Sequence, residues 1–330
     1  MVNNIESAQY VLISENISLL VIQVTCQRYC WRPCRIWNQQ NAMQQNLFTR
    51  PIWVSIFALT AAIAWGWAYP LIKWGFEAFQ ILPDMTGSKI LFAGLRFFLS
   101  GVILLAIARA TKRSFRAKVP HCWGYLFVFT LLNTTLHYGF FYIGLSHSDG
   151  ARAAILNSIG VFVLVLLACA IFPSDKLTKR KILGCLMGFA GIVILNLGNA
   201  QTSSFSFLGD GMIILNALCS AFASLMTRGV SKRIDIFVGT GYSLGLGGLL
   251  LILIGVLLGG TIPTVTLWGV IILLLLTGIS ALGFALYNNL INHNPIGKIA
   301  IYNSLIPVVG ALTSCLCLNE PFYALYIQVP

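Results

Sequence analysis

The chain has 330 residues, of which 58% are hydrophobic and only 9% charged. Soluble domains carry about 25% charged residues, so this composition excludes a soluble globular domain and indicates an integral membrane protein. The net charge of +12 does not mark a nucleic-acid binder, because the basic residues collect in alternate loops between apolar runs rather than on one patch.

Residues 1–42 are polar and rich in Gln and Asn, with one apolar run at Ile17–Val24 that is too short to span a bilayer. Glu6 and Glu15 precede that run and no basic segment does, so it is a poor signal peptide. Met43 stands ten residues ahead of Trp53 with Arg50 between, an economical cytoplasmic start. Residues 1–52 are therefore expected to form a cytoplasmic N-terminal segment, with 1–42 an upstream extension or else a peripheral segment. Cys26, Cys30 and Cys34 are spaced by four, but no His lies nearby and the spacing matches no common zinc pattern. Cys122, Cys169, Cys185, Cys219, Cys315 and Cys317 fall in or beside apolar runs, where a free Cys is a small hydrophobe. No metal, cofactor or disulfide framework is expected.

Nine spans are expected, near Trp53–Phe76, Ile90–Ala108, Trp123–Ile143, Ala151–Phe172, Ile182–Leu197, Leu208–Thr227, Phe237–Leu258, Leu267–Leu290 and Ile299–Leu318. Most approach the ~20 apolar residues a bilayer requires. Of the 21 basic residues, 17 fall in the segment before the first span and in alternate loops after it. This bias puts the N-terminus in the cytoplasm, and nine spans then put the C-terminus outside.

Two apolar stretches end alike. Ile155-Leu156-Asn157-Ser158-Ile159 follows Arg152, and Ile301-Tyr302-Asn303-Ser304-Leu305 follows Lys298, both pairs offset by 146 positions. The offset divides the chain into a five-helix unit over 53–198 and a second unit over 208–330. An odd-numbered repeat inserts its second copy upside down, an arrangement frequent in secondary transporters. The second unit shows four spans where five are expected. After Leu318-Asn319-Glu320-Pro321 only nine residues remain, and truncation is the simplest account. The fold class expected is an all-α polytopic membrane protein built as an inverted repeat of two five-helix units, with the tenth helix missing.

Several motifs in this order resemble one family. Trp65-Gly66-Trp67-Ala68-Tyr69-Pro70-Leu71-Ile72-Lys73 resembles a Trp-Gly start with a Lys seven positions after the Gly. Leu95-Arg96-Phe97 resembles a Leu-Arg-Phe signature, and Gly150-Ala151-Arg152-Ala153-Ala154 a small-residue and basic entry to the fourth span. Leu318-Asn319-Glu320-Pro321 resembles a Gly-Glu-Pro close. Together they resemble the EamA-like ten-helix transporters of the drug/metabolite transporter (DMT) superfamily, over about Trp53 to Pro321. Three departures stand out: the missing tenth helix, Ser174-Asp175 where a Glu is usual, and the N-terminal extension. The resemblance implies export or exchange of small metabolites such as amino acids, their derivatives or xenobiotics, and a bacterial inner membrane.

Every acidic residue falls in a loop or at a helix end, so no mid-membrane carboxylate is available for a proton relay or a sodium site. The basic residues are more informative. Arg96 lies seven residues into its span, ~10 Å below the edge, where a charge faces a cavity or braces the bundle. Lys73, His137, Trp67, Tyr69 and Tyr138 share that level. Cations that fix a carboxylate or phosphate, beside aromatics that cover apolar surface, suit an anionic or zwitterionic organic solute. Lys73 reads equally as a side chain snorkelling to the interface, the aromatics as an interfacial belt, and His137 as a hydrogen-bonded packing residue. Asn157, Asn303 and Tyr287 are polar candidates that could instead hold helices together.

A small-solute carrier in the bilayer working by alternating access is the leading expectation. The alternative is a truncated or non-transporting scaffold or receptor, with a second copy of the chain covering the absent wall. No nucleophile, metal set or phosphate-binding loop points to an enzyme, and no nucleic-acid partner is expected.

Overall fold

The computed structural model describes residues 47–172 and 205–318. The chain divides into two compact units, Met1–Arg50 and Pro51–Pro330, and the helices below belong to the second. Among the described residues every regular element is helical. Seven helical stretches are long and apolar enough to cross a membrane. The expected fifth span, the two ends of the chain, Ser174-Asp175 and the cysteines of residues 26–34 lie outside the described residues.

Helix α1 is Pro51–Ala78, α2 is Thr86–Ala110 and α3 is Cys122–Ser146. Where one fourth span is expected there are two segments, α4 (Gly150–Asn157) and α5 (Ile159–Ile171). Helix α6 is Phe207–Arg233, α7 is Ile236–Leu257 and α8 is Leu267–His293. The ninth span is also divided, into α9 (Ile296–Asn303) and α10 (Leu305–Leu318).

Both divisions fall at the serine of an Asn-Ser pair, and the two serines share one backbone conformation: Ser158 at φ −63°, ψ −19° and Ser304 at φ −63°, ψ −16°. Proline is not the common cause. Val161 follows Ser158 where Pro307 follows Ser304, and helix α1 runs unbroken through Pro70, held by packed neighbours across the missing bond. Pro307 has no N–H to donate to Asn303 O, so it contributes to the second division alone. The basic residues Arg228, Lys232 and Arg233, expected near a loop, extend α6 instead. Arg233 Nη1 donates to Gly229 O at 2.9 Å, and cations favour a helix C-terminus. Asp235 Oδ1 then accepts from the backbone N–H groups of Phe237 and Val238 and starts α7.

The tightest packing joins α2 to α7, antiparallel and backbone to backbone. Gly87, Gly94 and Gly101 recur every seven residues on one helix, and Gly241, Gly248 and Gly255 on the other. A Cβ on Gly94 would lie 2.5 Å from Ile252 N and 2.9 Å from Gly248 O. One on Gly101 would overlap the backbone of Gly245 and lie 2.8 Å from Gly241 O, and one on Gly255 would lie 2.6 Å from Leu91 N. Small residues permit such approach, which supplies dispersion where lipid removes the hydrophobic drive between helices. Helix α3 carries a π-turn at Leu131–Thr135. It aims Asn133 Nδ2 at Ser243 Oγ of α7, 3.0 Å away.

The two ends of the bundle differ. At one, the ends of α1 and α3 and the starts of α2 and α6 surround an open vestibule of about 1150 Å³, lined by Lys73, Glu77, Lys89, Asp149, Arg152 and Asp210 among others. Arg152 and Asp210 pair there at 2.7 Å. At the other, the basic loop after α2 meets the α6–α7 turn: Lys118 N donates to Arg233 O at 2.8 Å, and Arg113 pairs with Asp235 at 3.3 Å.

Replacing Gly101 by Ala forces the α2 and α7 backbones apart and is expected to cost about 1–3 kcal/mol. Gly124→Ala meets nothing within 4 Å and is expected to leave stability unchanged or slightly raised. Thermal denaturation of the two detergent-purified variants, followed by size-exclusion recovery, checks the contrast.

Candidate functional site

A cavity of about 90 Å³ lies in the middle of the bundle, enclosed by α1, α2, α3, α6, α8 and the ends of α4 and α9. Its walls follow helical spacing. On α1, Trp65, Tyr69 and Ile72 lie on one face; on α3, Asn133, His137 and Phe141 do the same. Arg96 enters from α2, Asn157 from the end of α4, and Asn303 from the end of α9.

Arg96 is the one charged side chain lining this cavity among the described residues. It is 1% exposed and is held by neutral groups. Nε donates to Leu276 O at 3.1 Å and to Ser280 Oγ at 2.7 Å, and Nη1 donates to Tyr142 Oη at 3.1 Å. Its guanidinium also lies 4.9 Å from the centroid of the Phe97 ring, a cation–π contact. Among the described residues no carboxylate pairs with it and Nη2 makes no hydrogen bond. A buried charge without a counter-charge is costly, and dipoles offset only part of that cost.

The rest of the lining is aromatic and amide. Trp65 meets Phe284 and Tyr287 edge-on at 5.2 and 5.3 Å, and Tyr69 meets Phe141 at 5.5 Å. Tyr138 stacks between Phe97 (3.9 Å) and His137 (4.3 Å). Asn157 Nδ2 donates to the Tyr69 hydroxyl at 3.2 Å, and Asn216 Nδ2 donates to Asn157 Oδ1 at 2.7 Å. Asn303 lies beside Tyr287 on the same wall, and the Tyr287 hydroxyl meets Ser224 Oγ at 3.5 Å. Asn157 thus braces a cavity tyrosine, and its echo Asn303 lies next to another. His137 Nδ1 is buried without a hydrogen-bond partner among the described residues. A smaller cavity of about 50 Å³ adjoins through Asn157, Ser220, Tyr287 and Asn303, and reaches Ser158 and Pro307.

Seven of the nine residues singled out in the sequence line the central cavity: Tyr69, Arg96, His137, Tyr138, Asn157, Tyr287 and Asn303. Lys73 lies one turn beyond Tyr69 and lines the vestibule instead. Trp67 is 41% exposed on the outer face of α1, because two positions along a helix turn a side chain about 200° away. The polar and aromatic lining residues missed were Trp65, Asn133, Phe141, Ser220, Ser224 and Phe284. Trp65 was legible in principle, four positions before Tyr69 on the same face.

Apolar helices long enough to cross a bilayer, enclosing a small central cavity with a vestibule at one end of the bundle, mark an integral membrane protein. The EamA-like transporter family matches residues 52–197 and 207–327, and the chain belongs to that family. It is a membrane transporter, and such membership implies a non-enzymatic function. The uncharacterized transporter YvbV of Bacillus subtilis is 26% identical over 78% of this chain and 82% of its own length. A WAT1-related chloroplastic protein of Arabidopsis thaliana is 28% identical over 80% of this chain and 63% of its own. Among solved structures, a crystal structure of a protein matches the fold at a TM-score of 0.64 and 19% identity, over 83% of this chain and 93% of that one.

Removing the Asn157 amide leaves the Tyr69 hydroxyl and the Asn216 amide without their shared partner. Interhelical bonds of this kind average ~0.6 kcal/mol each in a membrane bundle. Asn157→Ala is therefore expected to lower unfolding stability by about 1 kcal/mol, read from reversible unfolding in mixed micelles.

Proposed function

We propose that the protein is an alternating-access carrier that exports or exchanges small organic solutes bearing a carboxylate or similar anionic group, amino acids and related metabolites among them. The observation that carries this reading is Arg96, a buried cation on the cavity wall with no carboxylate partner among the described residues and Nη2 uncommitted. A solute carboxylate would provide the missing counter-charge, and charge-assisted bonds are the stronger kind. The aromatic walls cover its apolar part. Asn157, Asn303 and Tyr287 offer polar contacts at the far side.

The cavity's size supports the alternating-access part. Ligand sites usually measure about 300–1,000 Å³, well above the roughly 90 Å³ here. A solute of amino-acid size therefore enters only if the walls move apart. The α2–α7 seam supports the inverted repeat: Gly94 and Gly241 are 147 positions apart, as are Gly101 and Gly248. Gly94 meets Gly248 while Gly101 meets Gly241, the reciprocal contact of a two-fold relation. On this reading the two repeats span 53–198 and 208–330, the basic loops face the cytoplasm with the N-terminus, and the vestibule faces outward across a bacterial inner membrane.

Uptake and efflux in proteoliposomes against a panel of amino acids and related metabolites test the proposal. Arg96→Ala is expected to lower flux or apparent affinity ten- to a hundredfold, about the worth of a hydrogen bond to a charged group. Trp67→Phe, on the outer face, is expected to leave flux intact. Undiminished flux in folded Arg96→Ala overturns the role of Arg96. No flux from the folded wild-type chain favours a scaffold or receptor.

A further inference from the structure

The vestibule and the central cavity approach each other without a shared lining residue. What separates them is a layer of aromatic rings. Phe76 belongs to the vestibule wall, and Phe141 and Tyr69 to the cavity wall. Tyr142 belongs to neither and is 0% exposed. Its ring meets Phe76 edge-on at 6.0 Å on one side and Phe141 at 5.9 Å on the other, with Phe92 at 6.2 Å. Phe92 in turn meets Phe76 at 5.8 Å and Phe79 at 5.6 Å. The layer is continuous from α1 across α2 to α3.

We propose that Tyr142 is the seal between vestibule and cavity, and that Arg96 latches it shut from the cavity side through the Nη1–Oη hydrogen bond. This deepens the carrier reading and rests on it for its purpose. It gives Arg96 a second task as a positioning residue that reports cavity occupancy to the seal. A carboxylate that bridges the uncommitted Nη2 and Nη1 competes with Tyr142 at Nη1. Losing that bond leaves the Tyr142 ring held by packing and ring–ring contacts, which are individually weak. The latch is lopsided: Nε stays anchored on α8 through Leu276 O and Ser280 Oγ, so the guanidinium can change partner at Nη1 without leaving its place. Tyr142 is four residues from the end of α3, where helix ends open most easily.

The test reads access and needs no transported solute. Ser224 lines the cavity and Ser148 the vestibule. Each is changed to Cys in the full chain, in nanodiscs, and labelled with a small membrane-impermeant methanethiosulfonate, with site-resolved mass spectrometry separating these thiols from the native cysteines. Ser148→Cys is expected to label quickly in every background. Ser224→Cys is expected to label slowly in the parent and about tenfold faster with Tyr142→Phe or Arg96→Lys, the opening shift for one lost bond to a charged group. Tyr142→Ala, which removes the ring as well, is expected to label faster still. Unchanged Ser224→Cys labelling in Tyr142→Phe and Tyr142→Ala, both monodisperse, overturns the seal. Acceleration by Tyr142→Ala alone overturns the latch. Accelerated labelling with no flux across the solute panel retains the seal and removes the solute reading, while flux with unchanged labelling removes the seal alone.

Discussion

The backbone contact between α2 and α7 is the constraint on which the site depends. Helix α2 presents Gly87, Gly94 and Gly101 to α7. Every other side chain of α2 takes its direction from that face. Arg96 is two positions from Gly94, so it points nearly opposite the seam, as do Lys89, Phe92 and Ser100 at helical spacing from it. That stripe faces α3 and α8: Ser100 Oγ reaches Thr277 O at 2.9 Å, and Arg96 reaches Ser280. A glycine seam on one side thus fixes a cation on the other. Lys89 at the vestibule end bonds Pro83 O, so the two buried cations of α2 occupy different chambers.

Keeping Arg96 charged inside an apolar bundle requires acceptors, and the structure uses carbonyl, hydroxyl and ring faces rather than acids. A carboxylate partner would neutralise the site, and a solute anion would then meet a filled position. Neutral acceptors orient the guanidinium but leave its net charge unmet. The cost is a less stable bundle, as buried unpaired charge always entails. On the function proposed for the cavity, the gain is a site whose strongest unfilled interaction is left for the solute. Acids are placed where charge is needed without selectivity: Asp210 with Arg152 at the vestibule, and Asp235 with Arg113 at the opposite end.

Hydropathy made the spans legible, and the described helices overlap each expected span in their range. It could not show the divisions at Ser158 and Ser304, because a single near-helical serine leaves no mark on a hydrophobicity window. The Asn-Ser echo did mark those positions, although as a repeat rather than as a break. Within the site, depth along a helix was legible and direction was not. Trp67 and Trp65 lie at almost the same depth, yet one faces outward and the other packs its indole over Gly283. Lys73 shares the face of Tyr69 but sits a turn nearer the end, which is enough to place it in another chamber. Ser220, Ser224 and Phe284 carried no signal of their own, since small polar and aromatic residues are common on any membrane helix.

The symmetry proposed for the scaffold does not extend to its chemistry. Under the offset of the seam glycines, Ser243 of α7 stands where α2 has Arg96. Ser243 accepts a hydrogen bond from Asn133 Nδ2 at 3.0 Å and does not line the cavity. The echoed asparagines are nearly equivalent in place, each at the end of a short helix and each beside a cavity tyrosine. The cavity carries one off-centre charge on α2, with the amides of Asn157 and Asn303 on the same lining. A solute with one anionic end has a single favoured orientation in such a cavity. The aromatic layer at Tyr142 lies on the side where that anionic end would be held, so recognition of charge and separation of the chambers converge on one guanidinium.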